Sequence, residues 1–302
     1  MKWSLWMSVY TFISCSFGIV MNFLIFAVYY RDYTQGNPLT ACDQILSSMT
    51  VSSLVLQCIL SISSTIYYIE GSILIPRGFH MNIEFHILTF FIIFFLSEVS
   101  FWQTAHLSTY YCVKLLNFSH RFFSWLKTTM LTCTMRLVMV TTVVSFLINI
   151  PFLWTLHLDH PYNLTEDLIA TTYTFNLQSL HVCLNLTLGS CLPFLVTVTC
   201  ISLSVRAILW HVWHVGQNGL QFSSSRLGGL IWAACTMSLC VFCDLSFSVI
   251  IIGTLLSSFR MASVLYNISW TILTSYGTVR SIILISGNPK LRYGVFRRNV
   301  HP

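Results

Sequence analysis

Residues 3–30 read WSLWMSVYTFISCSFGIVMNFLIFAVYY, a run from Trp3 to Tyr30 that carries no charge. A secretory signal core is about 7–15 residues long and ends at a small-residue cleavage site. This run is far longer, and about 20 apolar residues suffice to cross a bilayer as a helix. It therefore reads as a first membrane span. Working outward, six further stretches repeat the pattern, so the spans are 4–30, 44–69, 85–116, 130–156, 184–211, 227–256 and 263–286. Short polar connectors separate them: Asn37-Pro38 marks one turn, Pro76 and Gly78 another, and 217–225 is rich in Gly and Ser. The composition agrees. The 302 residues are 55% hydrophobic and only 8% charged, against about 25% charged in soluble domains. Such a chain has too little polar surface to cover a globule in water. The expected fold is all-α, a single seven-transmembrane-helix bundle over residues 1–302, with 287–302 as a short tail.

Charge sets the expected orientation. One set of connectors holds or borders Arg31, Lys114, Arg121, Lys127, Arg136, Arg206, Arg226, Lys290, Arg292, Arg297 and Arg298, whereas the other has Lys2, Arg77 and Arg260. The positive-inside rule places the first set in the cytoplasm and the N-terminus outside. Asn163-Leu164-Thr165 in the long connector then lies outside, so Asn163 is an expected glycosylation site. Of the other sequons, Asn117 falls inside, while Asn185 and Asn267 lie in or near spans. The eleven cysteines fall mostly in apolar stretches and read as small interface residues. Cys183 lies outside without an evident partner, so no disulfide is expected between the third helix and the long outer connector.

The third span and the loop after it carry the most specific pattern. Trp102, Leu107, Ser108, Tyr110, Tyr111 and Lys114 lead into Asn117-Phe118-Ser119-His120, then Phe123 and Trp125-Leu126-Lys127. This resembles the signature of the type 2, or bitter, taste receptors. Gly18 and Asn22, Asp43-Gln44-Ile45-Leu46, Pro193-Phe194 with His211, and the stretch from Ser281 to Arg292 are similar to the same family in order. The resemblance covers nearly the whole chain and implies a G-protein-coupled receptor. Its expected partners are a small-molecule agonist, a heterotrimeric G protein and membrane lipid, with no nucleic acid and no cofactor, at the plasma membrane. It also implies that Lys114, His120 and Lys127 contact the G protein. The charges at Lys114, Arg121 and Lys127 have a plainer reading as well, as snorkelling positive-inside residues.

Departures from the family pattern are informative. Helix two ordinarily carries Ser-Arg where this chain has Ser52-Ser53, and helix seven ordinarily has a Pro and a His where it has Gly277 and Arg280. These positions touch the packing that relays activation. The resemblance places the family's ligand-facing Trp and Asn of helix three at Ile93 and Ser97, and its helix-seven pocket position near Tyr266. The aromatic platform and the amide are thus absent. Glu98 and Asp244 lie near the middle of their spans, where a charge costs several kcal/mol unless paired or hydrated. Each reads either as a hydrogen-bonded structural acid or as a ligand-facing carboxylate. In the second case they share one anionic cavity walled by Ile93, Ser97 and Tyr266, and favour cationic amines. Asn288-Pro289 has the form of a helix start, Asn capping and Pro first. The surface helix it opens is expected to turn Leu291 and Val295 to lipid.

Two other classes compete. A type 1 vomeronasal receptor shares the architecture but not the Asn-Phe-Ser-His and Trp-Leu-Lys pattern. A transporter ordinarily shows repeats with symmetry-related helix breaks, but Pro151 and Pro193 are not so related. An enzyme needs a nucleophile with its base or a metal box, and neither His-Glu-x-x-His nor Gly-x-Ser-x-Gly occurs. The chain is therefore expected not to be an enzyme.

Overall fold

A computed structural model describes residues 2–70, 83–115, 128–129, 132–155, 183–217, 224–256 and 264–296. The helices are α1 (Lys2–Thr34), α2 (Ala41–Glu70), α3 (Ile83–Leu115), α4 (Thr134–Asn149), α5 (Leu192–Gln217), α6 (Ser224–Leu256), α7 (Val264–Gly287) and α8 (Pro289–Phe296). Short turns extend two of them: Phe152–Thr155 follows α4, and a wide π turn, Asn185–Cys191, leads into α5. No strand occurs among the described residues. Among the described residues, seven helical stretches are long and apolar enough to cross a bilayer: Val9–Thr34, Ala41–Ile66, Ile87–Leu115, Thr134–Trp154, Asn185–Trp210, Ile231–Ile251 and Ile268–Gly287. Only structures that satisfy every backbone group internally survive in lipid, and helices do so. The protein is a multi-pass membrane protein.

The two in-span prolines explain the two irregular stretches. Proline has no N–H and crowds the carbonyl four residues back. At Pro151 the α4 ladder gives way to tighter bonds, Leu153 N–H to Ile150 O and Trp154 N–H to Pro151 O. Before Pro193 the chain widens instead, and Leu192 N–H reaches back five residues to Thr187 O.

α3 is the central post, packed on α2, α4, α5 and α6, while α7 packs on α1, α2 and α6. Lipid is as apolar as a leucine side chain, so association rests on close packing and interhelical hydrogen bonds. Asn22 Nδ2 donates to Gln57 Oε1, Gln57 Nε2 to Thr278 Oγ1, and Thr278 Oγ1 to Ser14 O, joining α1, α2 and α7. Ser52 Oγ donates to Gln103 Oε1 at 2.8 Å, and His106 Nε2 meets Thr141 Oγ1 at 3.2 Å. Phe12, Phe23, Met139, Leu195, Trp232 and Phe242 stay exposed, as lipid-facing side chains must.

One end of the bundle is closed by local devices. Gly36, at φ +78°, ends α1 in a left-handed turn. Asn37 N–H bonds Asp32 O and Gly36 N–H bonds Tyr33 O, satisfying the last carbonyls. Thr40 and Asp43 cap α2 reciprocally: Asp43 N–H donates to Thr40 Oγ1, and Thr40 N–H and Oγ1 both donate to Asp43 Oδ2. Asn288 Oδ1 accepts from Lys290 N–H, the cap expected at the start of α8. Leu291, however, is fully buried with Ile25, Val28 and Tyr29, and Val295 packs beside it. The expectation that both face lipid is corrected: α8 lies against α1 and α7 and turns this stripe inward. Lys290 Nζ then reaches Asp32 and Asp43, each at 3.0 Å, above the Tyr29 ring. Partial burial lowers the Lys290 pKa, but the bonds to the two aspartates outweigh it and hold the amine above the ordinary lysine range. The amine therefore stays charged below that range, and its contribution to the clasp is lost as pH rises through the raised value.

Candidate functional site

A cavity of about 130 Å³ lies between α3, the π turn, α5 and α6, in the half of the bundle away from α8. Its walls are mainly apolar, including Phe101 of α3, Pro193 and Phe194 of α5, and Val241 of α6. Asp244 is the one charged residue among those that line it. Cavities built chiefly of apolar side chains with a few placed polar groups are the usual form of small-molecule sites.

Asp244 is 7% exposed and belongs to a chain of contacts across three helices. Tyr276 OH of α7 donates to Asp244 Oδ1 at 2.7 Å. The same hydroxyl accepts from Arg280 Nη1, also at 2.7 Å. Arg280 Nη2 then donates to Ser100 O at 3.0 Å and to Thr104 Oγ1 at 2.9 Å, both on α3. Phe247 packs on the Tyr276 ring at 4.3 Å and Phe101 on Phe247 at 6.5 Å, so aromatic packing fixes the hydroxyl between its partners. Arg280 is 0% exposed, the largest fully buried side chain among the described residues. A guanidinium at that depth needs a counter-charge, and Asp244 supplies it through Tyr276. Sequence reading treated Arg280 only as a departure from a family His. Its signal was already visible, since a lone Arg inside the span 263–286 demands an acid elsewhere in the bundle.

Glu98 goes elsewhere. It is 2% exposed, and its Oε2 accepts from Asn149 Nδ2 of α4 at 2.9 Å. Asn149 Oδ1 in turn accepts from Asn185 Nδ2 in the π turn at 3.0 Å. Gly189 faces the Glu98 carboxyl so closely that any β-carbon there would collide with it. The two carboxyls expected to share one cavity thus turn to different neighbours, Glu98 to α4 and the π turn, Asp244 to α7. The reason is that each finds amide or hydroxyl donors on the helix beside it. Ile93 is buried in an aromatic core with Phe91, Phe94 and Phe152, and Ser97 Oγ donates to Ile93 O. None of Ile93, Ser97 and Glu98 lines the cavity. Tyr266 lies on α7, with its side chain outside those described. Asn185, held in the triad, is a poor sequon.

Lys114 is exposed at the end of α3, 5.7 Å above the Tyr110 ring, on the same end of the bundle as α8. His120, Lys127 and Asn163 lie outside the described residues. All eleven cysteines are unpaired, so Cys183 makes no disulfide, and Cys191 and Cys235 are exposed rather than at an interface. No group of His, Cys, Asp and Glu that would hold a metal occurs among the described residues.

The model of the taste receptor protein family, TAS2R, matches residues 2–298. The chain belongs to the type 2 taste receptor family. Among its relatives, Taste receptor type 2 member 40 of Gallus gallus is 25% identical over 280 residues, 91% of this chain and 88% of that protein. Taste receptor type 2 member 4 of Homo sapiens is 25% identical over 280 residues, 91% of this chain and 90% of the other. Taste receptor type 2 member 39 of Homo sapiens is 23% identical over 287 residues. At such identities this taste receptor is a divergent member. Its family is a class of G-protein-coupled bitter receptors and not of enzymes, and its seven helices suit that class.

Proposed function

We propose that this taste receptor is gated by small bitter-type molecules that enter the cavity between α3, α5 and α6, and that it signals through a heterotrimeric G protein at the α8 end. The observation that carries the reading is the cavity itself, an apolar, aromatic-flanked space whose one charged wall residue, Asp244, is bonded to α7 and through it to α3. A ligand there contacts the helices whose relative positions define the resting state. Binding one arrangement better than the other shifts the population.

The orientation follows from charge. Lys114, Arg136, Arg206, Lys290 and Arg292 gather at the α8 end, which is taken as cytoplasmic, with the N-terminus extracellular and the receptor in the plasma membrane. Lys114, with His120 and Lys127 in the following connector, offers a cationic surface that steers an acidic partner. Ile93 and Ser97 act by shaping α3 behind the cavity and Glu98 by holding α4 and the π turn, and Tyr266 of α7 is proposed as a ligand-binding residue. Asn163 is read as extracellular and glycosylated.

The test is a compound screen in cells that co-express a promiscuous Gα, read as calcium release. Agonists should act only when the Gα is present, and Lys114→Ala with Lys127→Ala should reduce signalling at unchanged ligand binding. Calcium entry or substrate uptake that persists without any Gα would contradict the receptor reading. A mobility shift on deglycosylation that survives Asn163→Gln and vanishes in Asn117→Gln would invert the topology.

A further inference from the structure

We infer that the cavity selects protonated amines, and that an amine activates the receptor by taking Asp244 from the Tyr276–Arg280 relay and so releasing α6 from α7 and α3. The inference rests on the cavity being the agonist site and names the ligand class of that site.

Three observations lead to it. First, Asp244 is the one charged group on the cavity wall among the described residues, and two of the hydroxyls there are committed to the backbone. Thr197 Oγ1 donates to Pro193 O at 2.6 Å, and Ser248 Oγ donates to Asp244 O at 3.0 Å. Asp244 is left as the one charged anchor, with Phe101 and Phe194 beside it to face a cation with their rings. Second, Asp244 is compensated indirectly. The Tyr276 hydroxyl stands between it and Arg280, so the two charges meet through a neutral group. An ammonium in direct contact with the carboxylate brings an opposite charge against it, which the neutral Tyr276 hydroxyl does not. Third, the relay is asymmetrically fixed. Arg280 is tied to α3 twice, at Ser100 O and Thr104 Oγ1, whereas α6 joins the network through the one residue Asp244, whose partners are Tyr276 of α7 and Thr104 of α3. An ammonium that takes Asp244 leaves α7 on α3 and draws α6 away from both. Arg280 Nε has no partner in the resting arrangement, so the guanidinium can turn further toward α3 when Tyr276 is released.

The ligand scale fits. A cavity of about 150 Å³ with apolar walls accommodates a benzene ring, and this one is of similar size, about 130 Å³. Single-ring aromatic amines are the matching probes.

The test compares phenethylamine with phenethyl alcohol, and further amine and alcohol pairs of the same skeleton, by calcium response at matched surface expression. On the wild type the amines should be at least about tenfold more potent than their alcohols. Asp244→Asn should erase that preference, bringing the potencies of each amine and its alcohol together. Tyr276→Phe removes the relay hydroxyl, keeps the ring, and should raise basal signalling. Arg280→Gln should raise amine potency, because the internal competitor is gone. Where Asp244→Asn fails to reach the surface, the double variant Asp244→Asn with Arg280→Gln removes both charges and carries the same expectation of lost preference. Alcohols as potent as amines on the wild type, or an amine preference that survives in Asp244→Asn, would overturn the inference while leaving the agonist site standing. Agonists that are indifferent to every wall substitution, Phe194→Ala included, would overturn the functional reading with it.

Discussion

The two ends of the bundle are held by different chemistry. At the α8 end the core is mainly aliphatic, with Ile25, Ile45, Met49, Leu107, Leu284 and Leu291 clustered beside Tyr29 and Tyr110, and its charges sit near the rim in the Lys290–Asp32–Asp43 clasp. Toward the other end the core is richer in aromatic rings, with Phe91, Phe94, Phe101, Phe152, Phe247 and Tyr276 packed among Leu and Ile. Charged and amide groups are buried beside it, in the Asp244–Tyr276–Arg280 and Glu98–Asn149–Asn185 chains. The Lys290 end of the clasp is 41% exposed and so hydrated and screened, whereas Asp244 and Arg280 are both buried. The comparison teaches that the buried charges are separated along the molecule from the half-exposed clasp, and that one of them, Asp244, borders the cavity.

The sharpest way to break that contrast is to leave a buried charge alone. Asp244→Leu strands Arg280 in the bundle and should cost about 3–5 kcal/mol. It would be read as a steep loss of thermal stability in detergent and of surface expression. Adding Arg280→Met to it should recover most of the loss, since a buried pair replaced by apolar groups is often neutral. If the double variant is no better than the single, Arg280 is not paired with Asp244.

A smaller effect is expected at the π turn. Gly189→Ala sets a methyl against the Glu98 carboxyl and should destabilise by about 1–3 kcal/mol, the usual range for overpacking. Glu98→Ala in the same chain should relieve it, and melting curves of the two variants and their combination measure the coupling. Full additivity would show that the two side chains do not meet.

The clasp should be the least sensitive. The Lys290 side chain is 41% exposed, so Lys290→Met should cost less than about 1 kcal/mol, and less again at high salt. A change in melting temperature as large as that of Asp244→Leu would erase the distinction between rim and interior.

Legibility in the sequence follows the same division. The spans could be read from Trp3–Tyr30 and its six counterparts because membrane length is a local property of sequence. The Asn288-Pro289 helix start was also local and appears, while the turn expected at Asn37-Pro38 falls just before it, at Gln35–Gly36. Leu291 was misread because burial against α1 is a long-range fact, and an apolar stripe beside a membrane looks the same facing lipid or protein. The pairing of Asp244 with Arg280 lay beyond local reading for the same reason: its members are 36 positions apart on two helices. What the sequence does show is the imbalance of each partner alone. Glu98 and Asp244 were singled out on that ground, and Arg280 deserved the same treatment. Only Asp244 of the two carboxyls borders the cavity, because Asn149 claims Glu98 first.

The central claim is that agonists act from the cavity between α3, α5 and α6. It is tested most directly by agonist concentration–response curves for Phe194→Ala, a wall substitution, against Phe23→Ala, which alters a lipid-facing side chain of α1. At matched surface expression, loss of the Phe194 ring should shift the calcium response about tenfold to higher concentration, the equivalent of about 1.4 kcal/mol, while Phe23→Ala leaves it in place. Superimposable curves for both variants and the wild type would contradict the account.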